Sequence, residues 1–215
     1  MSFESVVNEA KINFPNLQIK YKNESLFMKI LGKLMFFNKN FMTEYVTTIG
    51  STVYFPSKSF VAIRPVSSLM ILMHELVHVC DSKQFTTPIF SLLYLFPQIL
   101  ALLALPLFFI NWQIALLFLL FLLPIPAYFR AYFEKRGYLI SLYVSNKLSK
   151  KLSFNINLDN EKEETIKSFK NSDYYFMWPF KSVDSQFNEA TVKINNNQRP
   201  FEDPVFDILD RLIDS

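Results

Sequence analysis

The two histidines of the chain lie four residues apart, and a glutamate follows the first, in the run MHELVHVCD at residues 73–81. In an α-helix this spacing places His74 and His78 on one face, one turn apart, so both imidazoles can bind one tetrahedral metal ion. Glu75 then lies beside the metal, where its carboxylate can take a proton from a bound water. The pattern therefore predicts a Zn²⁺ cofactor, with Glu75 as the general base.

A catalytic zinc site needs three protein ligands and one open position. Because the chain has no third histidine, the third ligand must be a carboxylate or Cys80. Cys80 points away from the histidine face and is expected to be a buried free thiol. Asp81 shares that face and can either bind the metal or accept a hydrogen bond from an imidazole.

Glu134 is the stronger candidate for the third ligand, in the run RAYFEKRGY at residues 130–138. It follows a predicted helical hairpin, which returns the chain to the level of the two histidines. Arg130 and Tyr138 lie four residues on either side, on the same helical face, where they can orient the carboxylate or contact a tetrahedral intermediate. The alternative for Glu134 is an exposed charge paired with a neighbouring cation.

The segment 84–129 contains no Asp, Glu, Lys, Arg or His. Its two apolar stretches, residues 89–110 and 112–129, are 22 and 18 residues long. A helix needs roughly 20 apolar residues to cross a bilayer, so each stretch is long enough or nearly so. They predict a two-helix transmembrane hairpin; a pair of helices buried in a protein assembly is the alternative. Basic residues flank both ends and none lies at the tip. The positive-inside rule then predicts a two-pass integral membrane protein with both termini and the active site in the cytoplasm.

Outside this segment the charge content is that of a soluble domain. The net charge of +3 is too small to predict a nucleic-acid partner, and one cysteine excludes an internal disulfide. Alternating patterns predict strands at residues 17–22 and 45–55, with a bulge or turn at Gly50. Helical patterns occur at residues 2–12, 26–37, 69–82, 127–151, 162–169, 185–194 and 204–213. An aromatic loop at residues 173–180 is expected to cover the core or to contact substrate or membrane.

The order of strand, HELVH helix, two apolar helices and a helix with one glutamate resembles the membrane-embedded gluzincins. These include the bacterial HtpX-like membrane proteases and the CAAX prenyl endopeptidases. A compact gluzincin of phage and bacterial genomes with an inserted hairpin resembles the chain equally well. The resemblance covers residues 45–150 and implies that an extended substrate adds to the strand near residues 47–54. It also implies the zinc ligands His74, His78 and Glu134, with Glu75 as base.

The chain departs from those families after the third ligand. Their glutamate is usually followed by a small residue and an acid, whereas this chain reads EKRGY at residues 134–138. The expected fold is α+β and mostly helical, a small zincin-like domain with a short β-sheet and an inserted transmembrane hairpin. Residues 1–83 would form its N-terminal part, 84–129 the hairpin, and 130–215 the C-terminal part.

These features predict a membrane-anchored zinc metalloendopeptidase whose partners are the lipid bilayer and a membrane-associated polypeptide substrate. Two alternatives stay open. One is a membrane-inserting structural or virion component with a structural or vestigial zinc site. The other is zinc-dependent hydrolysis of a substrate that is not a peptide. No pattern in the sequence fixes the oligomeric state.

Overall fold

The computed structural model of the protein describes residues 2–35, 38–123, 125–170 and 183–214. The strands in these residues are β1 (Gln18–Tyr21), β2 (Thr47–Ile49) and β3 (Thr52–Phe55). The α-helices are α1 (Phe3–Asn13), α2 (Leu26–Leu34), α3 (Lys58–Ile63), α4 (Pro65–Phe85), α5 (Thr87–Leu95), α6 (Ala104–Phe108), α7 (Trp112–Leu119), α8 (Tyr128–Leu152), α9 (Leu158–Lys170), α10 (Val183–Asn195) and α11 (Val205–Asp214). The prediction of a mostly helical α+β fold is confirmed.

Local sequence signals set several helix ends. The side chains of Ser2 and Ser5 form a reciprocal capping box at the start of α1. Pro65 occupies the first turn of α4, where its missing N–H costs no helical hydrogen bond. The Asn111 side chain accepts hydrogen bonds from the first amides of α7. Ser153 ends α8 in the left-handed conformation, with φ of 54°.

The sheet has the strand order β1-β3-β2, with β1 parallel and β2 antiparallel to β3. β2 and β3 form a hairpin whose turn contains Gly50 at φ of 60°, a conformation that glycine adopts without steric cost. This matches the expected turn at Gly50. β2 is an edge strand among the described residues, and it lies next to α4. The sheet thus places an edge beside the helix that carries both histidines.

The core is built around α4 and α8, which pack against each other along their length. Their facing side chains include Leu72, Leu76, Ile140 and Val144, all fully buried. Helices α1, α10 and α11 complete this core on the sides away from the apolar segment. Because α4 and α8 form the centre of the core, side chains on their facing surfaces have fixed positions.

The apolar segment does not form two membrane-length helices but several shorter ones, in keeping with the expectation that its prolines kink or end the helices. A break near Pro97 separates α5 from a 3-10 helix (Gln98–Leu103) that leads into α6, and a 3-10 helix (Leu120–Leu122) follows α7. Proline lacks the amide donor and clashes with the preceding turn, so it interrupts a helix. No described helix is by itself long and apolar enough to cross a membrane. Thr87–Leu95 with Gln98–Phe108, bent by 93°, meets the length and composition criteria only as a pair.

Two sequence expectations fall partly or wholly outside the described residues. The aromatic loop at 173–180 lies outside them, as do residues 36 and 37 at the end of the helix expected at 26–37. Within the described part, that helix is α2 and ends at Leu34. The structure adds α3, a short helix before the histidine helix that the sequence pattern did not indicate.

Candidate metal centre

Three side chains from α4 and α8 converge on one point. His74 Nε2 lies 3.2 Å from His78 Nε2 and 3.5 Å from Glu134 Oε2, and His78 Nε2 lies 3.6 Å from Glu134 Oε1. One ligand atom from each residue lies within 4.8 Å of the others, so the cluster could hold a metal ion. His78 and Glu134 are buried, and His74 is partly exposed. The sequence had placed these three residues together through the return of the hairpin.

The close approach of α8 to His74 depends on Gly137, one turn after Glu134. A Cβ atom at this position would lie 2.7 Å from Cε1 of His74, which is shorter than real contacts allow. The helix therefore presents only a hydrogen atom to the imidazole. The sequence showed Gly137 only as a departure from a family pattern, with no function assigned to it.

The orientation of His74 is set by Ser141. The Ser141 hydroxyl donates to the Gly137 carbonyl at 3.0 Å and lies 2.9 Å from His74 Nδ1. Since the hydroxyl proton is used on the carbonyl, we assign the proton between the two side chains to Nδ1 of His74. The lone pair on Nε2 then faces the cluster, as metal binding requires.

Asp81 lies beside the second imidazole. Its Oδ2 is 3.5 Å from His78 Nδ1, and neither buried atom has a hydrogen-bond partner within the part of the chain described. A short movement would make a hydrogen bond that fixes the tautomer of His78, the second function expected for Asp81. The other oxygen accepts from Arg136, which also binds Asp203 through two bonds of 2.7 and 3.1 Å. The structure thus holds Asp81 between an imidazole and a guanidinium.

Glu75 lies next to the cluster but is not one of its three members. It is 8% exposed, and its Oε2 accepts a 2.7 Å hydrogen bond from the Thr48 hydroxyl on β2. It lines the same cleft as His74. The edge strand therefore orients the carboxylate that the sequence predicts to be the base.

Glu134 accepts a hydrogen bond from the hydroxyl of Tyr94, which lies on α5 inside the apolar segment. Arg130 and Tyr138, the expected partners, have other positions. The Arg130 Nε donates to the Tyr94 carbonyl at 3.1 Å, and its guanidinium lies over the Tyr94 ring. The Tyr138 ring packs against His74, with 5.0 Å between ring centroids. The structure thus turns Arg130 toward the apolar segment and leaves Tyr138 at the cleft.

Burial and the carboxylates have opposing effects on the charged groups here. Burial disfavours the cationic form of His78, but the charge of Glu134 and the contacts with Asp81 and Glu134 outweigh it and raise its pKa to about 10. Burial would raise the pKa of Glu134, yet the neighbouring histidines hold it well below the usual range. The cluster therefore favours positive charge, which a divalent metal supplies more strongly than a proton.

Cys80 lies outside the cluster, as the sequence predicts for a thiol on another face of α4. The thiol is partly rather than fully buried, and this burial is the main cause that raises its pKa to about 11, because it leaves the thiolate poorly solvated. The thiolate form that binds metals is therefore disfavoured at neutral pH.

A buried lysine lies near Glu75, and no sequence signal distinguished it. Lys22 follows β1 and is 0% exposed, and its Nζ donates at 2.7 Å to the Phe41 carbonyl and lies over the Phe41 ring. Burial lowers its pKa to about 8, although the negative charge of Glu75 opposes the change. This cation holds the segment that leads into β2.

A cleft of about 430 Å³ opens beside the cluster. His74 and Glu75 form part of its wall with Tyr138 and Ser141. Its lining also includes two carboxylates of α9, Glu161 and Glu164, and a third, Glu44, before β2. The cleft is thus large enough for several side chains of a ligand and is lined by negative charge.

Comparison of the chain with protein-family models, curated proteins and solved structures found no match. The geometry of the cluster and the cleft is therefore the basis for proposing a function.

Proposed function

We propose that this protein is a membrane-anchored zinc-dependent metallopeptidase. The observation that carries the proposal is the convergence of His74, His78 and Glu134 beside a cleft that also contains the Glu75 carboxylate. Two imidazoles and one carboxylate are a ligand set of catalytic zinc sites, which keep a fourth position for water. Zinc bound here would act as a Lewis acid on that water and on the scissile carbonyl.

The residues of the chain would carry out the proton transfers. Glu75, held by Thr48, takes a proton from the water as its oxygen adds to the carbonyl carbon of the peptide bond. Glu75 then delivers that proton to the amide nitrogen as the carbon–nitrogen bond breaks, so that an amine leaves and a carboxylic acid remains, which loses its proton to the amine or to solvent. Tyr138 lines the cleft beside His74, and in this proposal its hydroxyl contacts the carbonyl oxygen.

The membrane part of the proposal comes from the exposed apolar surface of the segment between α4 and α8. Among its most exposed side chains are Leu105, Phe109, Ile110, Leu117 and Leu122. The segment carries no charge, and basic residues flank it in the sequence. An exposed apolar surface of this kind fits a lipid bilayer. We propose that the segment enters the membrane as a bent hairpin, with the cluster on the cytoplasmic side.

Metal content tests the site directly. Protein purified in detergent should contain about one zinc per chain, and Glu134→Ala should contain much less. Zinc retained by the variant would move the third ligand elsewhere, to Asp81 first. A wild-type protein that takes up no zinc, even after reconstitution, would overturn the metallopeptidase proposal.

The same exposed surface favours a second candidate, a membrane-inserting structural protein whose zinc site only stabilises the fold. Glu75 separates the two. A general base is needed for hydrolysis, so Glu75→Gln should abolish cleavage of a peptide library while zinc remains bound; exposed Glu4→Gln on α1 is the control. If wild type cleaves no peptide, and Glu75→Gln leaves stability and membrane insertion unchanged, the structural candidate is favoured.

A further inference from the structure

Tyr94 reaches the metal centre from an element that sequence reasoning treated only as a membrane anchor. It lies in α5, and its hydroxyl donates to Oε1 of Glu134, whose side chain is buried. The other oxygen, Oε2, faces His74 Nε2 at 3.5 Å. Oε1 lies 3.6 Å from His78 Nε2, so each oxygen faces an imidazole and the bond from Tyr94 distinguishes Oε1 from Oε2.

The position of Tyr94 is fixed from both ends by one helix. Arg130 on α8 donates to the Tyr94 backbone carbonyl, while Glu134, one turn later on α8, accepts from the Tyr94 hydroxyl. Arg130 is itself buried and reaches the side chain of Gln98 at 3.4 Å. The Tyr94 ring packs near Phe90 and His78, with centroid separations of 5.8 and 6.2 Å. These contacts leave the hydroxyl little freedom to turn away from Glu134.

We propose that Tyr94 is a positioning residue for the metal ligand Glu134, through which the apolar segment completes the metal centre. The inference rests on the proposed zinc site. The hydrogen bond engages Oε1 and would favour Oε2 as the oxygen that binds the metal, so that Glu134 would bind through one oxygen and leave a position for water. Hydrogen bonds of this kind to ligand side chains contribute about 10–100-fold to metal affinity.

The test is the zinc affinity of Tyr94→Phe, measured by competition with a chromophoric chelator in detergent. The affinity should fall about 10–100-fold. Tyr132→Phe is the matched control, because Tyr132 is an exposed tyrosine of α8 outside the cluster, and its affinity should equal that of wild type. Affinity of Tyr94→Phe within twofold of wild type would overturn the inference.

A double-mutant cycle separates positioning from a general structural effect. If Tyr94 acts through Glu134, Tyr94→Phe should have no further effect on the residual zinc affinity in a Glu134→Ala background, which lacks the acceptor of the Tyr94 hydroxyl. Equal losses in both backgrounds would contradict positioning. Thermal unfolding of the metal-free proteins shows whether the variant folds.

Should Tyr94→Phe fail to fold, a ring-fluorinated tyrosine at position 94 keeps the shape and makes the hydroxyl more acidic. Zinc affinity should shift with this substitution at position 94 and stay constant with the same substitution at position 132; no shift at position 94 overturns the inference. A wild-type protein that binds no zinc would instead overturn the proposed function, so the two failures are distinguishable.

Discussion

Gly137 is the residue at which α8 approaches the first imidazole of the cluster most closely, and it has no room for a side chain. Gly137→Ala should displace His74 and lower zinc content, because a methyl group 2.7 Å from Cε1 forces the ring or the helix to move. Overpacking of this kind costs about 1–3 kcal/mol. Zinc content and unfolding in urea measure the two effects.

Gly32→Ala is the matched control for this prediction. Its added methyl group would meet the side chain of Met42 at a similarly short distance, but the flexible thioether can turn aside. Zinc content should be unchanged in this variant. Equal zinc loss in both variants would show that the effect is a general one on helix packing.

Ser141 offers a second prediction at the residue scale, since it fixes the proton on Nδ1 of His74. Ser141→Ala removes that partner and lets the imidazole protonate on Nε2, the nitrogen that faces the cluster. We expect zinc affinity to fall about 10-fold or more, with the fold retained. Ser168→Ala, in the wall of the same cleft, should bind zinc normally; loss of affinity there would point to an effect of the cleft itself.

At the scale of elements, α11 is fastened to α8 by a polar cluster remote from the metal centre. Asp210 accepts hydrogen bonds from Lys147, Tyr143 and Arg199 at 2.7–2.9 Å. Burial alone would raise the pKa of Asp210, but these donors outweigh it and lower the pKa. A carboxylate with a lowered pKa stabilises the fold above its unfolded-state pKa, and this contribution is lost as the pH falls through the folded-state value.

Asp210→Asn should therefore lower the free energy of unfolding by about 1 kcal/mol at pH 7, a value that allows for partial exposure to solvent. The difference from wild type should disappear as the pH falls through the folded-state pKa of Asp210. Urea unfolding at neutral and acidic pH measures both. Asp159→Asn, which alters the pair of an exposed carboxylate with Lys162, should change the free energy of unfolding little. A difference between Asp210→Asn and wild type that persists in acid would contradict the electrostatic account.

The carboxylates of α9 give a prediction about the cleft. Burial and the neighbouring Glu164 raise the pKa of Glu161, and a hydrogen bond with Ser145 opposes this change. A positively charged side chain of a ligand would therefore interact favourably with these carboxylates. Glu161→Gln with Glu164→Gln should raise KM for peptides with Lys or Arg by about 2–5-fold per carboxylate and leave neutral peptides unchanged. Glu163→Gln, exposed on the same helix, is the control; equal effects on both peptide classes would exclude charge selection.

The convergence of His74, His78 and Glu134 was predictable from sequence because its determinants are local or topological. His74 and His78 are fixed by helical spacing, and Glu134 by the return of the chain across the apolar segment. The sequence did not identify three partners of the cluster, namely Tyr94, Ser141 and Gly137. Each acts through a contact between two helices, and the hydrophobic pattern does not define how each helix is rotated about its axis. The periodicity also could not show how far the prolines divide the apolar segment, which decides where Tyr94 lies.

At the scale of the whole molecule, the exposed apolar segment should determine where the protein resides. Leu105→Arg combined with Leu117→Arg places charge on side chains that are 69% and 62% exposed. Each arginine costs about 2.5–3.5 kcal/mol at the centre of a bilayer. Flotation with lipid vesicles should therefore recover much less of the variant than of wild type.

Ile63→Arg is the control for membrane association. Ile63 is 77% exposed, like the leucines, but it lies at the end of α3, outside the apolar segment. This variant should float as wild type does. Full recovery of the double variant with vesicles would contradict membrane insertion through α6 and α7.

Phe90 and Tyr94 place contacts of the candidate metal centre inside the apolar segment, the region that would first be deleted to make the protein easier to handle in water. Excision of residues 86–127 would remove the Tyr94 hydroxyl from Glu134 and the Phe90 ring that packs near His78. We expect such a truncated protein to bind zinc weakly. Measurements of metal binding therefore call for the full chain in a lipid mimetic.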